Sequence, residues 1–325
     1  MDTKTNLVNG ADTTPWIFLR GLTRESRHWG DFIGQFDAAM PGCRVIALDF
    51  PGNGRLHLDR SPTRVQDMTQ RCRAQLRERR IEPPYRLLAM SLGAMVAVDW
   101  SSSYPCEIEA QVLINTSLRP FNPFYERLQP ANYGALLKLA FPGVSANAQE
   151  RTILRLTSNH TGTEGTEAVL PHWLALRQSN PVSRINALRQ LVAAARFCAP
   201  QIRPAAATLI LVSAQDRLVS KACSQALATH WQCGLRIHPS AGHDLPLDDG
   251  PWVAAEVREF CRTSPEVSPR GHEAPFARLL KAYLSDRPVA MQPLCFMHDY
   301  FRGLGPACSA VWAFFHCVQR RFRPS

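Results

Sequence analysis

Leu87-Leu88-Ala89-Met90-Ser91-Leu92-Gly93-Ala94-Met95-Val96-Ala97-Val98-Asp99-Trp100 is an apolar run that meets a single serine and then takes on helical character. It reads as strand, sharp turn and helix, with Ser91 on the turn. A serine on such a turn is held in a strained backbone conformation, so the residues two before and two after it must be small. Here they are Ala89 and Gly93. The turn lifts the hydroxyl clear of a sheet and sets it at a helix N-terminus, whose unpaired N–H groups favour the negative charge of an acyl-transfer intermediate. Small residues around a serine are common; the flanking pattern is what makes Ser91 a candidate nucleophile.

That pattern is strand alternating with helix. Trp16-Ile17-Phe18-Leu19 is a short apolar run closed by Arg20-Gly21, a buried strand and a turn. From Ser26 to Met40, Trp29, Phe32, Ile33 and Phe36 recur at helical spacing and predict one helix. Cys43 to Asp49 is a second strand, stopped by the loop Phe50-Pro51-Gly52-Asn53-Gly54. Val65, Met68, Cys72 and Leu76 predict a helix over Val65 to Arg79, with Arg71, Arg73, Arg77, Glu78 and Arg79 as its solvated face. Tyr85 to Met90 is the third strand and Ala110 to Asn115 the fourth. Near-continuous apolar strands alternating with helices predict an α/β fold, a mostly parallel sheet with helices on both faces.

From about Phe121 to Pro200 strand-like runs vanish, and helical segments are separated by Pro, Gly and Asn: a helical lid insertion. The sheet resumes with Ala207 to Ala214, a helix over Lys221 to Trp231, a strand Leu235 to His238 and a helix over Trp252 to Cys261. The expected organisation is a core over residues 1–119, a lid over 120–200, the rest of the core over 201–264 and an extension over 265–325. In that extension Pro265, Pro269, Gly271 and Pro275 read as a linker before a helix at Phe276 to Leu284. The aromatic stretch Val311-Trp312-Ala313-Phe314-Phe315 and the terminal Arg320-Arg321-Phe322-Arg323 read as a packed or partly disordered tail, membrane-surface docking being the alternative.

The 325 residues, 45% hydrophobic, suffice for a sizeable core. The polar start Met1-Asp2-Thr3-Lys4-Thr5-Asn6 is unlike a signal peptide, and no apolar run reaches about 18 residues. A cytoplasmic protein is expected. Ten cysteines without a C-x-x-C pair or a Cys/His cluster read as reduced thiols and offer no metal site. The net charge of +10 is carried mostly by arginines spread along the chain, a distribution that argues against a nucleic-acid partner.

A serine hydroxyl needs a base to take its proton and a carboxylate to hold that base in the right tautomer. Asp216 follows the strand ending at Val212, in Ser213-Ala214-Gln215-Asp216-Arg217, and His243 follows the strand ending at His238, in Ser240-Ala241-Gly242-His243-Asp244. With Ser91 they would project from one carboxyl edge of a parallel sheet, in the order Ser, Asp, His. Asp49, before a Pro-Gly loop, is better suited to capping a turn. Asp244 adjoins His243 too closely to orient its ring, and Asn115 leaves no acid after the fourth strand. His28, His57, His160 and His172 read as surface or lid residues, and Ser101-Ser102-Ser103 as a helix end.

In these motifs, Arg20-Gly21, Asp49-Phe50-Pro51-Gly52-Asn53-Gly54, Ala89-Met90-Ser91-Leu92-Gly93, Asp216 and Gly242-His243, the chain resembles the α/β-hydrolase superfamily over most of Trp16 to Cys261. Its layout is most similar to single-domain esterases with a small helical lid, such as the pimeloyl carrier-protein methyl ester esterase. The resemblance implies an oxyanion hole of two backbone N–H groups, here Leu22 and Leu92, and no cofactor. Arg20 stands where the superfamily usually has His, and is available there to meet an anionic substrate group. The expected activity is hydrolysis of a small-molecule or carrier-bound carboxylic ester or thioester. The alternatives are an acyltransferase or carbon–carbon hydrolase with the same triad, or a catalytically silent binding module. The lid arginines Arg119, Arg127, Arg151, Arg155, Arg177 and Arg184 would suit an anionic substrate or acidic carrier only if they face the pocket.

Overall fold

The computed structural model describes residues 14–140, 143–159 and 164–264. The expected helix at Phe276 to Leu284 and the aromatic, basic terminus lie outside the described residues, as does His160. Six strands form one sheet: β1 (Trp16–Leu19), β2 (Val45–Leu48), β3 (Tyr85–Met90), β4 (Ile108–Ile114), β5 (Ala207–Ser213) and β6 (Gly234–His238). They lie in the order β2-β1-β3-β4-β5-β6, every pair parallel. Leu19 pairs with Leu48 and Ala89, Met90 with Ile114, Ile114 with Leu211, and Ser213 with His238. The carboxyl ends of the strands therefore finish level, and the loops that follow them share one edge.

The inner strands are buried on both faces, which is why they read as unbroken apolar runs rather than as alternating ones. Side chains still alternate between faces at a period of two. Ile17 and Leu19 pack with helices α2 (Val65–Glu78) and α3 (Leu92–Ser103), whereas Trp16 and Phe18 pack with α1 (Phe32–Ala39) and, through it, α11 (Gly250–Thr263). In α2 the buried side chains are Val65, Met68, Thr69, Cys72 and Leu76, while Arg71, Arg77 and Glu78, with Arg79 just after the helix, are exposed; Arg73, expected on the solvated face, is instead half-buried, paired with Glu107 at 2.9 Å and laid over the Tyr104 ring. The helix expected over Ser26 to Met40 is two: a 3-10 turn over Ser26–Trp29, then α1. Gly30, at φ +50°, separates them, and the turn lets Trp29 meet Phe18 at a tilt of 56° and 5.0 Å while Phe36 meets the same ring edge-on at 5.0 Å.

Between β4 and β5 lie α4 (Phe124–Arg127), α5 (Tyr133–Ala140), α6 (Ala146–Thr157), α7 (Glu164–Ser179) and α8 (Arg184–Arg196). Ser145 and Ser183 start α6 and α8 by accepting the backbone N–H of Ala148 and Asn186. After β5 come α9 (Lys221–Trp231), α10 (Leu245–Asp248) and α11. Among the described residues no helix is long and apolar enough to cross a membrane, and the seven described cysteines form no disulfide with one another.

Candidate active site

β3 ends at Met90, and Ser91 takes φ +54°, ψ −116° before α3 begins. That conformation costs a residue with a side chain on the order of 1–3 kcal/mol. It is held by the Ser91 N–H bonding Ile114 O at 3.0 Å and by Ser91 O accepting the N–H of Ala94 at 3.0 Å. The close turn accounts for Gly93, where a Cβ would lie 2.4 Å from Leu19 O and 2.7 Å from Arg20 O. Gly21 passes over the other side, since a Cβ there would stand 3.3 Å from that of Ser91. The loop after β1 is thus pressed against the serine. The N–H groups of Leu22 and Leu92, on either side of this contact, carry no hydrogen bond among the described residues.

Asp216 and His243 meet from the loops after β5 and β6. Nδ1 of His243 donates to Oδ2 of Asp216 at 2.7 Å, with both side chains buried. The other carboxylate oxygen accepts the N–H groups of Leu218 at 2.8 Å and Val219 at 3.0 Å, so the acid is fixed before it fixes the ring. Burial pushes the imidazole pKa down, but the charge and hydrogen bond of Asp216, with the charge of Asp244, outweigh it and hold the ring above its ordinary value. With Nδ1 committed to Asp216, Nε2 is the nitrogen left to accept a proton. Ser91 is partly exposed and its hydroxyl makes no hydrogen bond among the described residues. The structure thus joins acid to base directly and leaves the serine on the same edge with its hydroxyl uncommitted.

Several supporting residues had no visible signature in the sequence. Asn115, left-handed at φ +46° just after β4, donates to the His243 carbonyl at 2.8 Å and to Ser213 Oγ at 3.0 Å, and accepts the Ser213 N–H at 2.8 Å. It occupies the strand end that offered no acid and braces the histidine loop instead. Asp248 accepts the Gly242 N–H at 2.6 Å, the Ser158 hydroxyl at 2.5 Å and the Asn159 N–H at 3.0 Å. Thr157 O, at the end of α6, accepts the Asp244 N–H at 2.7 Å. Asn159 donates to Gln215 O and Ser240 O, each at 3.0 Å. The end of α6 therefore touches the loops of both Asp216 and His243. Asp49 accepts the N–H groups of Ser26 at 2.6 Å and Arg55 at 3.0 Å, which is turn capping.

Arg20 is not available to an anionic substrate group. Its guanidinium makes a two-pronged bond to Asp244, at 3.0 and 2.5 Å, and lies 4.8 Å from the Trp29 ring centre; both charged groups are buried. A guanidinium out of water needs a carboxylate, and the residue after His243 supplies it. Arg24 reaches further: it bonds Glu150 of α6 at 2.7 Å, lies 4.1 Å from the ring centre of Trp173 on α7, and stands 3.0 Å from Nε2 of His28. His28 is half-buried under that helix rather than on the surface; burial and the charges of Arg24 and Arg20 hold its pKa well below the ordinary value. Arg177 joins Glu150 at 2.8 Å, Arg127 donates to Ala194 O at 2.8 Å, and Arg119 donates to Ala195 O at 3.3 Å. Arg151, Arg155 and Arg184 are exposed. Among the described residues no group of three or more His, Cys, Asp and Glu is placed to hold a metal.

The sequence matches the alpha/beta hydrolase family over residues 7–256. Comparison with curated proteins finds no match. Among solved structures the fold is similar to a thermophilic esterase from Thermogutta terrifontis, with 18% identity, TM-score 0.58, and coverage of 77% of this chain and 89% of that one. It is also similar to 2-hydroxy-6-oxo-6-phenylhexa-2,4-dienoate hydrolase from Rhodococcus sp. strain RHA1, with 16% identity, TM-score 0.62, and coverage of 77% and 91%. A hydrolase from Pseudomonas aeruginosa PA01 aligns at 16% identity and TM-score 0.60, covering 78% and 91%. Its parallel sheet, its strained serine turn and a family match that spans most of its length together make this chain a member of the alpha/beta hydrolase family.

Proposed function

We propose that the chain is a serine hydrolase that cleaves a carboxylic ester or thioester through an acyl-enzyme. The observation that carries this is the buried 2.7 Å bond between His243 and Asp216 on the sheet edge where Ser91 stands in its strained turn. Ser91 Oγ attacks the carbonyl carbon while His243 Nε2 takes its proton, and Asp216 steadies the imidazolium that forms. The oxyanion is met by the Leu22 and Leu92 N–H groups, and Leu92 opens α3, so the helix terminus adds its partial positive charge. His243 then gives the proton to the departing alcohol or thiol. A water, deprotonated by the same nitrogen, attacks the acyl carbon and restores Ser91. Residues 120–200 act as the lid that selects the acyl group.

The test is hydrolysis of short p-nitrophenyl esters by the wild type and Ser91→Ala. A loss of roughly 10⁴–10⁶-fold in kcat/KM is expected for the variant, and equal turnover would refute the assignment. A fluorophosphonate probe that labels wild-type Ser91 separates an enzyme from a silent binding module, which would stay unlabelled.

A further inference from the structure

Helix α8 is built inside out. Its polar residues Asn186 and Gln190 are 6% and 0% exposed, whereas Ile185, Leu188 and Leu191 are 69%, 61% and 46% exposed. The inward polar side chains explain the orientation. Gln190 accepts the Thr23 N–H at 2.9 Å and donates to Asn53 Oδ1 at 2.7 Å and Ser61 Oγ at 3.1 Å. Asn186 accepts the Ser61 N–H at 3.0 Å and donates to Asp59 O at 2.9 Å. These bonds dock α8 on the loop after β2, and Ile185, Leu188 and Leu191 are left to point the other way, while among the helix's apolar residues only the small Ala193 is fully buried with Asn186 and Gln190. Isolated exposed leucines are ordinary, but three on one helix, spaced by three residues, form a stripe. Leu58, 88% exposed, extends the apolar surface of the loop one residue before the Asp59 carbonyl that Asn186 grips.

Among the described residues, α8 and the loop beneath it carry almost only positive charge. Helix α8 carries Arg184, Arg189 and Arg196 and no acid, and the loop over residues 54–64 carries Arg55, Arg60 and Arg64 with a single acid, Asp59. That acid stands 3.7 Å from Arg71, so it does little to offset the excess. A second copy of this chain would bring arginine against arginine across a two-fold interface. A row of exposed aliphatic side chains on elements rich in arginine fits instead a surface that is apolar within and anionic outside. We infer that this face of the lid, α8 with the 54–64 loop, docks on an anionic lipid surface, with Ile185, Leu188 and Leu58 entering the acyl region and the exposed Arg60 and Arg64 meeting the phosphates.

The experiment is flotation of the full chain with vesicles of equal parts phosphatidylcholine and phosphatidylglycerol, and with phosphatidylcholine alone. The wild type is expected to float with the first, to stay behind with the second, and to be released by high salt. Ile185→Ser combined with Leu188→Ser, and separately Arg60→Glu combined with Arg64→Glu, should each lower the bound-to-free ratio by about tenfold or more. All of these residues are exposed, so unchanged thermal midpoints will certify the folds. Binding is read without turnover, so the result is independent of the role proposed for Ser91. Failure of the wild type to float, equal flotation on the neutral vesicles, or full binding by the Ile185→Ser, Leu188→Ser protein would each overturn the inference. So would a dimer of the wild type that the same serine variant dissociates, which would give the stripe to a second copy.

Discussion

Replacing Asp244 with alanine leaves the Arg20 guanidinium in the interior with the face of Trp29 as its remaining named contact. Arg20 and Asp244 are each 2% exposed and are joined by two hydrogen bonds, and Nε of Arg20 has no partner of its own. A cation over an indole ring is worth about 0.5–2 kcal/mol, whereas stranding one member of a buried ion pair costs about 3–5 kcal/mol. The uncompensated charge dominates. Against a total stability on the order of 5–15 kcal/mol, and at about 2–4 °C per kcal/mol for a domain of about 150–250 residues, Asp244→Ala should lower the thermal midpoint by roughly 6–20 °C. Arg20→Met combined with Asp244→Leu removes both charges and keeps most of the volume, so it should restore the midpoint close to that of the wild type. The pair also joins the loop that carries Leu22 to the loop that carries His243, so the double variant should recover stability and still lose kcat. Circular dichroism on heating and ester kinetics read the two effects separately. Asp244→Asn adds a third measurement. Asp244 helps raise the His243 pKa and Arg20 lowers it, so the variant loses the first influence, keeps the second, and moves the acid limb of kcat/KM to lower pH. A single alanine variant as stable as the wild type, or a double variant no better than the single, would refute the reasoning.

Because the folded His243 pKa lies above the ordinary 6.5, its contribution to stability is complete below about that pH and is lost as pH rises through the folded value; His243→Ala should flatten this part of a midpoint-against-pH series. Gly93→Ala drives a methyl group into two backbone carbonyls of the β1 end, and should cost at least about 1–3 kcal/mol in a urea titration, whereas Ala89→Gly should leave the serine reactive towards a fluorophosphonate. Glu150→Gln removes the carboxylate shared by Arg24 and Arg177, at a cost of about 3–5 kcal/mol, read as faster proteolysis within residues 143–196. The folded Glu150 pKa is lowered, burial notwithstanding, by those two arginines. The wild type should therefore lose the same stabilisation as pH falls below the ordinary 4.5 and through the folded value.

What could be seen in the residues beforehand is what repeats locally. The strands announce themselves because a parallel sheet covered on both faces needs unbroken apolar runs, and the elbow because only small neighbours fit beside Ser91. That Asp216 and His243 would meet was legible through chain order and strand ends. The split at Gly30 was hidden because Trp29, Phe32 and Phe36 keep helical spacing across it. Arg20 and Asp244 lie 224 positions apart, and no local pattern foretells that one will neutralise the other; Arg24 with Glu150 is the same case. Helix α8 defeats periodicity in another way. Its aliphatic residues have the spacing of a core-facing stripe, yet Asn186 and Gln190 win the inward position, since once buried they find several partners apiece.

The bond from Asp244 N–H to Thr157 O, with the grip of Asp248 on Ser158 and Asn159, has a consequence for anyone who would re-engineer this molecule. Substrate preference in a scaffold with an inserted cap is commonly altered by transplanting that cap whole. Here the transplant boundary would cut through the support of the His243 loop, because the last turn of α6 is at once part of the insert and part of the frame on which that loop rests. A chimera that keeps Thr157, Ser158 and Asn159 from this chain should retain turnover with a changed appetite, and one that imports a foreign helix end should fold yet idle.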